Sequence, residues 1–174
     1  MVKRLAISLT LATAVGCGPR DEGPVAPSAE SPLRAKTVPD FARPSLEGVK
    51  IDTKALRGKL VVVKFFAEYC EPCKRTLPSA QKMHERYAGT VEFIGVSVDE
   101  QESAARRMVT TYGLTFPVVL DRGNVLAGRF RVDAIPVTFV IDPEGIVKWV
   151  GGPMHTHEDL ERAVASFANA PWAG

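Results

Sequence analysis

The sequence has few of the residues that mark several large functional classes. It holds three cysteines and three histidines among 174 residues. A structural zinc site needs further Cys or His ligands at suitable spacing, and none accompany its one close cysteine pair. Charge of one sign is lacking too, with 22 Lys and Arg against 20 Asp and Glu, and the excess is carried by Lys3 and Arg4. Nothing in that balance argues for nucleic acid as a partner. The apolar stretch Leu5 to Val15 is too short to span a bilayer stably. With 45% hydrophobic and 24% charged residues, the chain has the make-up of one ordinary globular domain.

What the sequence does contain is Cys70-Glu71-Pro72-Cys73, after the apolar run Leu60 to Phe66 and at the start of a stretch with helical spacing. Two cysteines separated by two residues close a small disulfide ring when the first sits at a helix N-terminus and the second lies one turn inside. Unpaired N–H groups and the positive end of the helix dipole then favour a thiolate on Cys70, the outer cysteine. Pro72 costs little there, because the first turn has N–H groups to spare. Such a setting lowers a thiol pKa from about 8.5 to about 7, worth roughly 2 kcal/mol in favour of the thiolate. The pair reads as a redox-active dithiol.

The N-terminal segment reads as an address. Lys3-Arg4 and the apolar stretch after it are the charged and hydrophobic parts of a secretory signal peptide, expected over residues 1–16. Ala14-Val15-Gly16-Cys17 resembles a bacterial lipobox, with Ala14 where leucine is usual. That resemblance implies cleavage before Cys17 and a lipid on its sulfur. An ordinary cleaved signal would instead leave an unpaired exported thiol open to wrong disulfides. Gly18 to Lys36 carries Pro19, Pro24, Pro27 and Pro32 among Gly, Ser and charged residues, without apolar periodicity. Residues 17–36 are therefore expected to be a lipid anchor and disordered tether, and 37–174 the folded domain.

Within that domain, Phe41 to Ile51 with a turn at Gly48 predicts an edge hairpin. Leu60 to Phe66 is a continuous β-rich run of the kind covered on both faces, interrupted by Lys64. Cys73, Leu77, Ala80, Met83 and Tyr87 recur at spacings of three and four, predicting a helix kinked at Pro78 and stopped by Gly89. Val91 to Val98 predicts a strand, and Ala105, Met108, Val109 and Tyr112 mark one face of a helix. Phe116 to Leu120 is short and strand-like, and Asn124 to Phe130 predicts a brief helix capped by Asn124. Val137 to Ile141 and Ile146 to Val150 flank the tight turn Asp142-Pro143-Glu144-Gly145. Thr156 through Asp159 reads as a capping box for a last helix with Leu160, Val164 and Phe167 inside. The order is βα, βα, then ββα.

That order, with Pro78 five residues after Cys73 and Ile135-Pro136 before the final ββα unit, resembles the thioredoxin fold over roughly residues 38 to 170. The resemblance implies an α/β three-layer architecture, a central mixed sheet flanked by helices. It also implies a cis peptide before Pro136, placing the Ile135 backbone where an incoming substrate could pair with it. The signal peptide, the added strand-helix element around 91–120 and the phrase Tyr112-Gly113-Leu114-Thr115-Phe116-Pro117 resemble the TlpA/ResA-like thiol-disulfide oxidoreductases. By that resemblance Cys70 attacks a protein disulfide, Cys73 resolves the mixed disulfide, and a membrane thiol carrier restores the dithiol. The family implies a bacterial, membrane-attached monomer outside the cytoplasm, reducing, several members in cytochrome c maturation, without a cofactor or metal beyond the cysteine pair.

Three residues depart from the family pattern. Tyr69 stands where tryptophan usually precedes the first cysteine, Lys64 where an acid or asparagine is usual, and Thr76 where ResA-like proteins carry glutamate. Lys64 is either part of the site or a strand lysine whose head escapes to solvent. As part of the site, it would favour a thiolate at Cys73, whereas Glu71 would disfavour one at Cys70. Two other functions stand beside reduction: disulfide formation on the same fold, because potential and partner set direction, and copper delivery, as in related thioredoxin-fold metallochaperones that use two cysteines and a histidine, with His155, His157 and Met154 as the candidate further ligands. A peroxidase reading meets Ala67 where peroxiredoxins typically carry threonine three residues before the reactive cysteine.

Overall fold

The computed structural model describes residues 27–169. The signal peptide, Cys17 and the first part of the tether lie outside the described residues. Among the described residues no helix is long and apolar enough to cross a membrane. A short antiparallel hairpin, β1 (Ala42–Pro44) and β2 (Lys50–Asp52), precedes the main sheet, as its Gly48 turn predicts. The remaining elements are β3 (Leu60–Phe66), α1 (Glu71–Arg86), β4 (Val91–Ser97), α2 (Glu102–Tyr112), β5 (Val118–Leu120), α3 (Val125–Arg129), β6 (Val137–Ile141), β7 (Val147–Gly151) and α4 (His157–Ala168). The main sheet has five strands in the order β5-β4-β3-β6-β7. β3, β4 and β5 run parallel, and β6 and β7 are antiparallel additions. This is the mixed, helix-flanked α/β sheet of the thioredoxin-like fold.

Strand alternation divides the core in two. Val61, Val63 and Phe65 face one side, where the Phe65 ring lies 5.2 Å from Phe130 and 5.9 Å from Phe139, and Phe130 lies 6.1 Å from Phe41. Val62, Lys64 and Phe66 face the side covered by α1 and α4. There His84 of α1 sits edge-on to Phe93 and Phe116, each 5.7 Å away, and an Arg86–Glu161 ion pair joins the two helices. Gly95 is small of necessity, since a Cβ there would lie 3.0 Å from the Phe66 ring and from Val118. α1 runs through Pro78 as one helix and buries Cys73, Leu77, Ala80, Gln81 and Met83.

Two expectations are corrected. The tether does not extend to residue 36, because residues 28–36 lie along β7. Ala29 N–H donates to Val150 O at 2.7 Å, Val150 N–H to Ser28 Oγ at 2.9 Å, Ala35 N–H to Val147 O at 2.8 Å, and Val147 N–H to Lys36 O at 2.9 Å. The outer strand of a sheet carries unpaired backbone groups, and this segment satisfies them despite its proline-rich composition. The second correction concerns α3. Asn124 sits in the left-handed region (φ 55°) and makes no side-chain cap; Asp121 accepts from Leu126 N–H and Ala127 N–H, both at 2.8 Å. The capping box at α4 is present as predicted, with reciprocal bonds between Thr156 and Asp159.

Candidate active site

Cys70 is the N-cap of α1 and Cys73 lies in its first turn, joined to Cys70 by a disulfide. Cys70 Sγ accepts the Cys73 N–H at 3.2 Å, so the sulfur occupies the place where a helix N-terminus offers its free donors. Accessibility separates the two: Cys70 is 7% exposed and Cys73 is fully enclosed. Pro72, inside the first turn, removes no helical hydrogen bond.

The register of the sheet brings the second half of the site alongside. Phe65 pairs with Val137, so the chain leaving β3 toward Cys70 and the chain entering β6 through Ile135-Pro136 lie at the same sheet end. The Ile135–Pro136 peptide is cis. Tyr69, 73% exposed, and Ile135 line one open groove, whose floor includes Val98, Ala127 and Val132.

Three acids that the sequence reading did not single out hold this end of the molecule in shape. Asp99, at the end of β4, accepts the Glu68 N–H (3.1 and 3.2 Å) and the buried Ser97 hydroxyl (2.8 Å), fixing the turn before Cys70. The Glu68 carboxylate meets Arg107 of α2 through two bonds of 2.6 and 2.7 Å, and this partner holds its carboxyl below the usual range. Asp121, fully buried after β5, caps α3 and lies 3.7 Å from Arg43, so it holds in place the helix whose Ala127 and Gly128 line the groove. Asp99 and Asp121 follow the carboxyl ends of two neighbouring parallel strands, and that shared position was the available signal.

The remaining predicted site residues fall in different places. Glu71 is largely exposed and is paired with Lys74 at 2.5 Å, so much of its charge is compensated before it reaches Cys70. That pairing raises the Lys74 pKa. Thr76 turns its hydroxyl to its own helix, donating to the carbonyls of Cys73 (3.1 Å) and Pro72 (3.3 Å). Lys64 does not reach solvent as a surface strand lysine would. It is 4% exposed, donates to Thr138 Oγ1 at 3.3 Å, and burial pushes its pKa down to about 8. His155 is occupied structurally: Nδ1 accepts the Gly152 N–H at 3.1 Å, Nε2 lies 2.8 Å from Pro27 O, and the ring packs edge-on against Trp149.

A disulfide at a helix N-terminus, its outer cysteine slightly exposed and its inner one enclosed, beside a groove lined by Tyr69 and Ile135, defines a thiol-disulfide oxidoreductase of thioredoxin-like fold. The AhpC/TSA family model matches residues 35–150. The chain is 37% identical over 128 residues to the thiol-disulfide oxidoreductase ResA of Bacillus anthracis, covering 72% of this chain and 73% of that protein. To ResA of Bacillus subtilis (strain 168) it is 35% identical over 127 residues, covering 72% of this chain and 71% of the other. Among solved structures, a thioredoxin-family thiol:disulfide interchange protein of Chlorobium tepidum TLS superposes with a TM-score of 0.68 at 26% identity, over 81% of this chain and all of that one. The chain thus belongs to the AhpC/TSA family and, within it, to the ResA-type thiol-disulfide oxidoreductases.

Proposed function

We propose that this protein is a lipid-anchored reductase of protein disulfides that works outside the cytoplasmic membrane of a bacterium, as a monomer. The observation that carries the reading is the unequal exposure of the two cysteines, 7% for Cys70 and none for Cys73. In the reduced protein, Cys70 as thiolate attacks one sulfur of a substrate disulfide, forming a mixed disulfide and releasing the other substrate sulfur as a thiolate that takes up a proton. Cys73 then loses its proton and attacks Cys70 Sγ. The Cys70–Cys73 bond forms, and the substrate leaves with two thiols and two electrons gained.

The cysteine pair is itself the redox group, and no cofactor enters the cycle. A membrane thiol carrier of lower potential returns the two electrons. Tyr69 and Ile135 flank the attacked bond, and the backbone of Ile135 pairs with an extended substrate segment. Anchoring rests on the Lys3-Arg4 and Leu5 to Val15 signal and on Cys17. Cysteine-bearing apocytochromes are one client class, suggested by the family resemblance, and mis-oxidised exported proteins are another.

Disulfide formation is the second reading, and buried Lys64 favours it. Lys64 is buried on the sheet face that α1 covers, and α1 carries the dithiol at its head; positive charge on that side stabilises thiolate, which stabilises the reduced state and raises the potential. The equilibrium reduction potential of the Cys70/Cys73 pair in glutathione or dithiothreitol buffers separates the two. About −250 mV or lower supports the reductase; a value near about −120 mV overturns it in favour of the oxidase.

A further inference from the structure

The segment along β7 decides where the N-terminal part of the chain leaves the domain. It runs antiparallel to β7: Ala29 N–H donates to Val150 O near the end of that strand, and Ala35 N–H to Val147 O at its start. β7 ends where Gly151 pairs with Thr138, and β6 begins there beside the end of β3, because Val137 pairs with Phe65. Pro27 and Ser28 therefore stand at the dithiol end of the sheet. Pro27 O lies 2.8 Å from Nε2 of His155, just before α4. Three strand spacings separate β3 from this segment, about 15 Å across the sheet.

Cys17, the proposed lipid site, precedes Pro27 by ten residues. Ten residues span at most about 35 Å, whatever their conformation. The dithiol end is thus held close to the anchor. The Asp142-Pro143-Glu144-Gly145 turn, at the other end of the sheet, is further away by the length of β7, about 17 Å.

The same end carries exposed apolar side chains. Among the described residues the large ones are Val49, Tyr69, Val125 and Met154. Tyr69 precedes Cys70, Met154 follows the end of β7, and Val125 opens α3 after β5, so three of the four stand past the sheet end that holds the dithiol. Met154 is 91% exposed. The charges beside the cysteines are balanced, with Glu68 meeting Arg107 and Glu71 meeting Lys74. Binding to anionic headgroups needs an excess of cations, so this apolar, charge-balanced rim fits a protein surface better than a lipid one.

We propose that residues 28–36 hold the dithiol end toward the bilayer, and that the rim formed by Tyr69 and Met154 docks on a protein embedded in that membrane, one that presents a cysteine pair near the headgroups. This rests on the lipid anchor and the exchange cycle proposed above. A thiolate of the embedded protein attacks Cys70 Sγ, breaking the Cys70–Cys73 bond and leaving Cys73 as a thiolate that takes up a proton. The second thiol of the embedded protein loses its proton, attacks its own sulfur in the mixed disulfide and releases Cys70 as thiolate. Two electrons pass to this chain, and the embedded protein is left with a disulfide.

Orientation is tested on the lipid-bearing full chain in vesicles of phosphatidylethanolamine and phosphatidylglycerol. Cys70→Ser and Cys73→Ser remove the other thiols, and a dye is attached through Pro153→Cys at the dithiol end or Glu144→Cys at the far end, both exposed positions. Energy transfer to a headgroup-labelled acceptor lipid should be about threefold or more stronger from position 153, given the length of β7 between the two. Equal transfer, or stronger transfer from position 144, overturns the orientation. Adding Met154→Glu should leave the transfer unchanged; loss of the bias would assign the rim to lipid and overturn the protein partner. The docking is read from the rate at which cytoplasmic membranes of the native bacterium reduce the oxidised full chain. Met154→Glu should slow this by about tenfold, while reduction by dithiothreitol keeps its wild-type rate. An unchanged membrane-dependent rate overturns the docking. A Cys17 that mass spectrometry finds without lipid would instead overturn the anchor itself.

Discussion

Replacing Lys64 by methionine should make the protein more stable near neutral pH and leave it about equal to wild type near pH 10. The Lys64 pKa is 10.5 in the unfolded chain and about 8 in the fold, through burial. Near pH 7 both states carry the proton, and the folded state bears the full desolvation penalty, roughly 3 kcal/mol. Between pH 8 and 10.5 the folded amine is already neutral while the unfolded chain still binds a proton, so stability rises with pH. By about pH 10 the penalty has fallen to about 1 kcal/mol. Methionine fills similar volume without charge, at the cost of leaving the Thr138 hydroxyl without its donor, about 1 kcal/mol at any pH. The net expectation is a variant more stable by about 2 kcal/mol near pH 7 and about equal to wild type near pH 10. Urea unfolding of the oxidised proteins at the two pH values measures this. A stability difference that does not change with pH would refute the reasoning, because only the proton linkage varies between the two conditions.

Two further outcomes follow from the elements around the site. Asp121→Ala removes the acceptor for two amides of α3 and the partner of Arg43, and should destabilise the protein by about 2 kcal/mol in urea unfolding, whereas Asn124→Ala should cost little. Ser28→Ala removes the hydroxyl that accepts the Val150 N–H, so hydrogen exchange at that amide should quicken by roughly five- to tenfold, about 1 kcal/mol of local protection, while the paired amides of β3 stay slow.

Features carried by a few adjacent residues were legible in the sequence. The apolar run Leu60 to Phe66 gave a central strand, Cys70-Glu71-Pro72-Cys73 gave the head of α1, and the Asp142-Pro143-Glu144-Gly145 turn gave the β6–β7 hairpin. What escaped depends on partners far away in the chain. Residues 28–36 have the composition of a loose linker, and the open backbone groups of Val147 and Val150, with Ala29 and Leu33 packed against the core, give them an ordered place. Asn124 is a good capping residue by type, but the acceptor nearest the first amides of α3 is Asp121, brought there by the end of β5. A lysine within a strand is compatible with a surface tip or a buried amine, and packing of α1 and α4 over that face decided for burial. The groove is formed where α3, the Tyr69 turn and the chain before Pro136 meet, so no single stretch announces it.

The unequal roles of the two sulfurs are tested most directly by trapping. Reduced Cys73→Ser protein, mixed with a model protein disulfide such as insulin, should accumulate a covalent complex that reductant releases, with the link mapped to Cys70 by peptide mass spectrometry. Cys70→Ser should form none. A complex that forms equally well through Cys73 in the Cys70→Ser protein, or no complex in the Cys73→Ser protein, would contradict Cys70 as the attacking sulfur and Cys73 as the resolving one.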